Sequence, residues 1–407
     1  MNSLNPVAKT LLGVQFLFVA FGAVVLVPLL VGLNPSTALF SAGVGTLVFH
    51  LVTKGKVPIF LGSSFAFIAP IVKSTELYGM PGTLFGLLGV GLVYGIMSFL
   101  IKFRGTDFIK KLFPPVVIGP VIILIGLSLA GAGVNMAKEN WLLALVALLT
   151  SIVVSIWGKG LFRLIGIFSG IVVGFMVAVF TGQVDFTSVI EAPWLAMPEF
   201  VKPVVSWEAF LFMIPVAIAP VIEHIGDMYT ISTVAKKDFV KEPGLHRTML
   251  GDGLACMVAA VIGAPPVTTY SEVTGAISLT KITDPKVIRI AALSGIVFSV
   301  IGKINALLKV IPTPVLGGIM LLLFGTIASV GISNLIQHKV DFSKTRNMVV
   351  ASLILTFGIG GANFTIGNFT LTGIGLAALL GVILNLVLPE GSGKSDEKEP
   401  FDAEAPL

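Results

Sequence analysis

Three carboxylates, Glu223, Asp227 and Glu272, sit in stretches whose other residues are apolar enough to lie in a bilayer. A charged side chain at the membrane centre costs about 2.5–3.5 kcal/mol even on the lenient insertion scale, so such groups usually face a cavity and mark a substrate path or a proton relay. Glu223 and Asp227 are four residues apart and share one face of a helix. Two negative charges there repel, and a carboxyl that exchanges its proton near neutral pH is what proton coupling requires. Glu272 follows Val267-Thr268-Thr269-Tyr270, a run that favours an extended strand, and stands where a helix is expected to begin. The positive end of that helix dipole offsets part of its charge. The structural alternatives are that Glu223 and Asp227 cap or pair with His224, Thr230 or backbone groups, and that Glu272 only starts its helix.

Nearby groups are assigned quieter roles. Asp252 is read as a helix-start residue close to the inner surface, and His224 as a structural neighbour pointing off the Glu223/Asp227 face. His50, His246 and His338 fall at segment ends and are expected to be solvated. Cys256, the single cysteine, excludes an intramolecular disulfide framework, and with four scattered histidines no metal-ligand spacing is present. Cys256 itself reads as a small buried apolar residue.

The elements that must hold these acids are membrane segments. The chain is 55% hydrophobic and 12% charged with a mean hydropathy of +1.01, where a soluble domain carries about 25% charged residues. No cleavable leader is visible, since 1–9 is short and polar and the apolar run 11–33 is long enough to span. Seven apolar segments are read near 12–31, 37–53, 58–72, 83–101, 114–131, 141–157 and 163–181. Seven more follow near 207–230, 248–263, 265–280, 287–302, 312–333, 347–361 and 372–388. With both termini cytoplasmic, only Lys73, Lys138, Lys202, Lys303 and Lys309 of the 26 Lys and Arg fall outside. This asymmetry follows the positive-inside rule, and it explains the net charge of +5 without nucleic acid. The acidic, Pro-, Ser- and Gly-rich stretch 391–407 reads as a disordered cytoplasmic tail.

Two pairs of segments suggest an inverted repeat. Phe113-Pro-Pro-Val-Val-Ile-Gly119 and Ile311-Pro-Thr-Pro-Val-Leu-Gly317 lie 198 residues apart, open segments five and twelve, and place a Pro and a Gly at matching offsets. An odd separation in segment number makes the second copy cross in the opposite direction, as in secondary transporters. Segments three and ten are both broken. Sixteen residues separate Lys56 from Lys73, about 24 Å of helix against a core of about 30 Å, and Pro265-Pro266 resists helix. Each reads as an extended stretch followed by a half-helix, and the two extended stretches are expected to pair antiparallel at mid-membrane and offer N–H groups to a ligand. Two carboxylates accepting N–H donors, with strand-end N–H groups donating to carbonyls, suit a small planar molecule bearing both. Phe65, Tyr270 and Phe324 are candidate walls. An inorganic anion fits poorly beside three acids and no Arg or Lys.

The stretch Lys54-Gly-Lys-Val-Pro-Ile-Phe-Leu-Gly-Ser-Ser-Phe-Ala-Phe-Ile-Ala-Pro70 resembles the third segment of the uracil branch of the nucleobase–ascorbate transporter family, also called nucleobase:cation symporter 2. So do Glu223-His-Ile-Gly226 and Lys236-Lys-Asp-Phe-Val-Lys-Glu-Pro-Gly-Leu-His-Arg247. Glu272-Val-Thr-Gly275 through Thr280-Lys281 is similar to the family signature, with Val273 where Asn is usual. The likeness runs from about 13 to 388.

The resemblance implies an all-α multi-pass membrane protein with 14 transmembrane segments in a 7+7 inverted repeat and two short antiparallel strands in segments 3 and 10. A core domain (1–103 and 206–303) carries the substrate, and a gate domain (104–205 and 304–390) supports homodimerisation and an elevator movement. Carried over by motif, Glu223 and Glu272 bond the N–H and carbonyl edge of a pyrimidine. The backbone at Phe65 and Ser271 contacts its oxygens, and Ala23, Tyr270 and Phe324 line the pocket. Three departures stand out: Asp227 and Phe16 replace residues that are often His, and Ser271 replaces a common Gly.

The expectation is therefore a secondary transporter importing uracil by proton symport, with Glu223 and Asp227 handling the proton, no cofactor, and Na⁺ as the alternative coupling ion. A xanthine or other purine carrier and an anion exchanger of the same architecture are the alternatives. An intramembrane aspartyl protease is disfavoured, because Asp227 has only Asp252 as a partner.

Overall fold

In the computed structural model the described residues are 5–105, 107–366 and 369–389, and the tail 391–407 lies outside them. The chain opens with α1 (Pro6–Leu30), α2 (Pro35–Val52), β1 (Leu61–Ser63), a 3₁₀ turn Phe65–Phe67 and α3 (Ile68–Arg104). Next come α4 (Asp107–Leu112), α5 (Pro115–Ser128), α6 (Ala130–Ala137), α7 (Trp141–Trp157), α8 (Gly166–Phe180) and α9 (Thr187–Glu191). α10 (Trp207–Val216), α11 (Ile218–Ala235), α12 (Leu245–Val261), β2 (Val267–Thr269), α13 (Ser271–Thr280) and α14 (Pro285–Ser299) follow. The chain closes with α15 (Gly302–Lys309), α16 (Thr313–Gln337), α17 (Thr345–Ile359), the hairpin β3 (Asn363–Ile366) and β4 (Phe369–Thr372), and α18 (Gly373–Val387).

Six helical runs among these are long and apolar enough to cross a membrane, and α7, α8, α17 and α18 are shorter apolar helices. Their starts follow local chemistry. Asn5, Asn34, Asn140, Ser206 and Asp284 cap α1, α2, α7, α10 and α14 by accepting early helix N–H groups, and Pro stands in the first turn of α1, α2, α5, α14 and α16. Breaks are equally local. α3 turns at Gly79, whose φ of 72° only glycine adopts freely, and Pro215 divides α10 from α11. The half-helix of expected segment three and the whole of expected segment four are thus the two arms of α3.

The helices pack in two sets. In one, α12 lies against α2 and α3, α14 against α1 and α2, and α10 against α3. In the other, α16 lies against α5, α6, α7 and α8, and α17 against α5 and α18. α11 touches both, through α12 and α13 on one side and α5 and α18 on the other. Small residues let backbones approach, as association in lipid requires: a Cβ at Gly91 would stand 2.5 Å from the Gly253 carbonyl, and one at Gly126 would collide with the Phe324 carbonyl. The pairs Gly119 with Leu335 and Gly126 with Ala328 run in opposite order along the chain. α5 and α16, whose starts match in sequence, therefore lie antiparallel.

Candidate functional site

The centre of the site is a two-stranded sheet made by the two broken segments. β1 and β2 pair antiparallel with Leu61 opposite Thr269, Gly62 opposite Thr268 and Ser63 opposite Val267. Hydrogen bonds continue past the strands, from Ser64 N–H to Pro266 O (3.0 Å) and from Tyr270 N–H to Phe60 O (3.1 Å). The outer edges are satisfied by side chains. The Thr46 hydroxyl accepts from Leu61 N–H (2.9 Å) and donates to Leu61 O (3.3 Å), while the Cys256 thiol donates to Val267 O (3.2 Å). Unpaired backbone at membrane depth is untenable, and these two residues pair Leu61 N–H, Leu61 O and Val267 O. Cys256 is buried as expected, yet it has this task as well.

Each strand leads into a helical start that no side chain caps, the 3₁₀ turn at Phe65 and α13 at Ser271. Such starts leave N–H groups and a partial positive charge for a ligand. Glu272 is the second residue of α13 and Glu223 lies on α11; both are half-buried, and among the described residues neither side chain is hydrogen-bonded to another residue. The charges that act on Glu223 are those of Asp227, Glu272 and Asp252, all acids. Gly226 on α11 and Gly275 on α13 are exposed, with nothing within 4 Å of where a Cβ would stand.

Asp227 differs from Glu223. It is buried, and its two oxygens accept from the Thr269 hydroxyl and the Ser271 hydroxyl, both at 2.6 Å. It ties α11 to β2 and to the start of α13, so the two acids on one helix face do unlike work. Of the other expected site residues, Phe65 is buried at the head of its turn, and Tyr270 packs its ring on Gly62 and donates to Ser63 O at 2.6 Å. The structure thus brings Glu223, Asp227, Phe65, Tyr270, Ser271 and Glu272 together around the strand pair. Ala23 lies in α1, whose Val24 carbonyl accepts from the Ser63 hydroxyl at 3.4 Å, but its side chain is outside the described residues. Phe324 is fully buried on α16, within the second helix set.

Two expectations are corrected. Asp252 is not a helix-start residue near the surface: it is the eighth residue of α12, fully buried, and its Oδ2 meets His224 Nδ1 at 2.9 Å. The helix begins at Leu245, ahead of the apolar run that opens at 248, and this carries Asp252 two turns into it. The other imidazole nitrogen of His224 reaches Thr248 Oγ1 at 3.0 Å, and that hydroxyl already donates to Leu245 O. His224 is buried, and its carboxylate partner is Asp252, not Glu223 or Asp227. His50 is not solvated either; it is buried, with Nε2 at 3.1 Å from Ile59 O. Thr46, Thr248 and Thr269 join the site without any sequence signal, because a threonine in an apolar run says nothing until its partner is known.

The Permease family profile matches residues 8–367. A probable uracil permease of Haemophilus influenzae is 48% identical over 96% of this chain and 96% of its own length. The uracil permease of Bacillus caldolyticus is 47% identical over 93% of this chain and 91% of its own. Among solved structures, the murine Slc26a9 anion transporter in its inward-facing state has the same fold, with a TM-score of 0.71 at 11% identity, covering 95% of this chain and 68% of that one. Paired broken segments in a helical membrane scaffold, a family profile over most of the chain and relatives of nearly half-identical sequence agree, and the chain belongs to the Permease family of membrane transporters.

Proposed function

We propose that the protein imports uracil by proton symport. The observation that carries this reading is the pairing of two carboxylates bonded to no other residue, Glu223 and Glu272, with two uncapped helical starts across one strand pair. Uracil offers N–H donors to carboxylates and carbonyl oxygens to N–H groups, so one planar molecule satisfies both sets. The uracil permeases among the relatives support the same substrate. Phe65 and Ser271 contribute backbone N–H groups, and Ala23, Tyr270 and Phe324 shape the pocket. Glu223 and Asp227 handle the proton: neutralising one of the clustered acids removes a repulsion that otherwise opposes a third electron-rich group.

In this reading the fourteen segments form a 7+7 inverted repeat with both termini cytoplasmic. A core domain (1–103 and 206–303) carries substrate past a gate domain (104–205 and 304–390) that dimerises, in an elevator movement. The two helix sets meeting along α11 support that division.

Na⁺ coupling is the second reading, favoured by the oxygen cluster of Asp227, Thr269 and Ser271. Uptake of labelled uracil into proteoliposomes separates the two: an inward proton gradient drives it under the first reading, an inward Na⁺ gradient under the second. Glu223→Gln and Glu272→Gln each abolish uptake; intact uptake in both variants removes the site assignment, and uptake of xanthine alone removes the substrate.

A further inference from the structure

The bond between Asp227 and Ser271 can run in either direction. Asp227 Oδ1 accepts from the Ser271 hydroxyl and Oδ2 from the Thr269 hydroxyl, both at 2.6 Å, and among the described residues no other side chain is hydrogen-bonded to Asp227. The ionisable groups around it are Glu223 and His224 on its own helix, Glu272 on α13 and Tyr94 on α3. Asp252 on α12 is taken up by His224, and α5 and α18, which also pack on α11, carry no ionisable residue.

The two hydroxyls differ in what lies beyond them. Thr269 is 3% exposed, whereas Ser271 is exposed, on the face of α13 that also carries Gly275. An ionised carboxylate only accepts, so both hydroxyl protons are committed to it. A neutral carboxyl has one O–H to donate, and a hydroxyl oxygen can accept it. When a proton arrives on Oδ1, the new O–H donates to Ser271 Oγ, and the proton already on Oγ turns about the Cβ–Oγ bond toward the open side. The same reversal at Oδ2 would leave the Thr269 proton buried without an acceptor, which is costly. The exposed hydroxyl is therefore the one that turns.

Its place on the chain decides what the turned proton meets. Ser271 is the first residue of α13, and its N–H is among the groups that an uncapped start leaves for a ligand. A carbonyl oxygen held by that N–H stands beside the side chain of the same residue. We propose that Ser271 is a proton-gated donor: its hydroxyl is withheld from the uracil carbonyl while Asp227 is ionised and offered to it once Asp227 is neutral. The inference rests on the uracil-symport reading above and gives it a physical link, since proton and substrate then favour each other's binding.

The test measures equilibrium binding of labelled uracil to the purified full chain in nanodiscs, for wild type, Ser271→Ala, Asp227→Asn and Asp227→Asn/Ser271→Ala. Asparagine stands in for the neutral carboxyl, its amide donating to Ser271 Oγ and its carbonyl accepting from Thr269. In alkaline buffer, removing the Ser271 hydroxyl costs about fivefold more affinity in the Asp227→Asn background than in wild type, the share of one hydrogen bond. Comparing wild type with Ser271→Ala, the cost grows by a similar factor as the pH is lowered. An equal cost in both backgrounds overturns the proposal. So does a Ser271→Ala profile whose midpoint moves while its span stays that of wild type, because the hydroxyl then only supports the Asp227 carboxylate. Should Asp227→Asn misfold, the pH series decides alone: a growing cost upholds the gate and a constant one overturns it. Wild type that binds no uracil removes the symport reading and the gate with it, whereas tight binding with equal costs removes the gate alone.

Discussion

Tyr270 donates its hydroxyl proton to the Ser63 carbonyl at 2.6 Å, across a sheet whose strands come from distant parts of the chain. Its ring lies on Gly62, where a Cβ would stand 2.5 Å from a ring carbon. The contact closes the strand pair from above, as Thr46 and Cys256 close its edges.

Gly62→Ala therefore forces the ring away and separates the strands. Overpacking of this kind costs about 1–3 kcal/mol, and the removed hydroxyl in Tyr270→Phe about 1 kcal/mol. Thermal unfolding of the purified protein should rank Gly62→Ala below Tyr270→Phe and both below wild type. Uracil uptake should fall in the same order.

Asp227→Asn replaces one acceptor oxygen by a donor, so the proton of either the Thr269 or the Ser271 hydroxyl loses its acceptor, at a cost of about 1–3 kcal/mol. Ser271→Ala should then destabilise the Asp227→Asn variant less than wild type, with a coupling of about 1 kcal/mol in a double-mutant cycle. Additive losses would mean that the two groups act independently.

Removing one member of the buried His224–Asp252 pair strands the other. Asp252→Ala should cost about 3–5 kcal/mol, while His224→Leu/Asp252→Leu, which removes both, should cost clearly less. Thermal midpoints of the three proteins decide it.

Burial opposes the charge on Asp284, but the Lys9 ammonium at 2.8 Å and the Lys286 N–H at 2.9 Å outweigh it and hold the carboxyl below its usual range. A lowered folded value stabilises the protein above the unfolded value of about 3.9, and that stability is lost as pH falls through the folded one. Both partners are partly exposed, so screening limits the contribution to about 0.2–1 kcal/mol. Lys9→Gln should lower the thermal midpoint near neutral pH, and the difference should vanish in acid and shrink in high salt.

The broken segments are legible in the sequence because their signals are local. Lys56 and Lys73 are too close for a straight span, Pro265-Pro266 blocks helix, and Val267-Thr268-Thr269 prefers an extended backbone. That the two stretches pair antiparallel follows from their length and depth, since each needs a partner for its backbone. The role of Asp227 is only half legible. Its helix face with Glu223 follows from a spacing of four, but the hydroxyls that bind it lie 42 and 44 residues away. His50 and Asp252 escape a reading from sequence because a polar residue near the end of an apolar run looks the same whether water or protein covers it.

By itself, the sequence determined that this is a helical membrane protein with acids in its spans, two interrupted segments and a uracil-permease likeness, because hydropathy, proline and spacing act within a few residues. Only the tertiary structure decided which acid is bonded and which is free, that His224 pairs with Asp252, and that Thr46 and Cys256 complete the sheet. Those outcomes depend on which side chains meet across distant segments, and a hydrogen bond is set by distance and direction in space, not by separation along the chain.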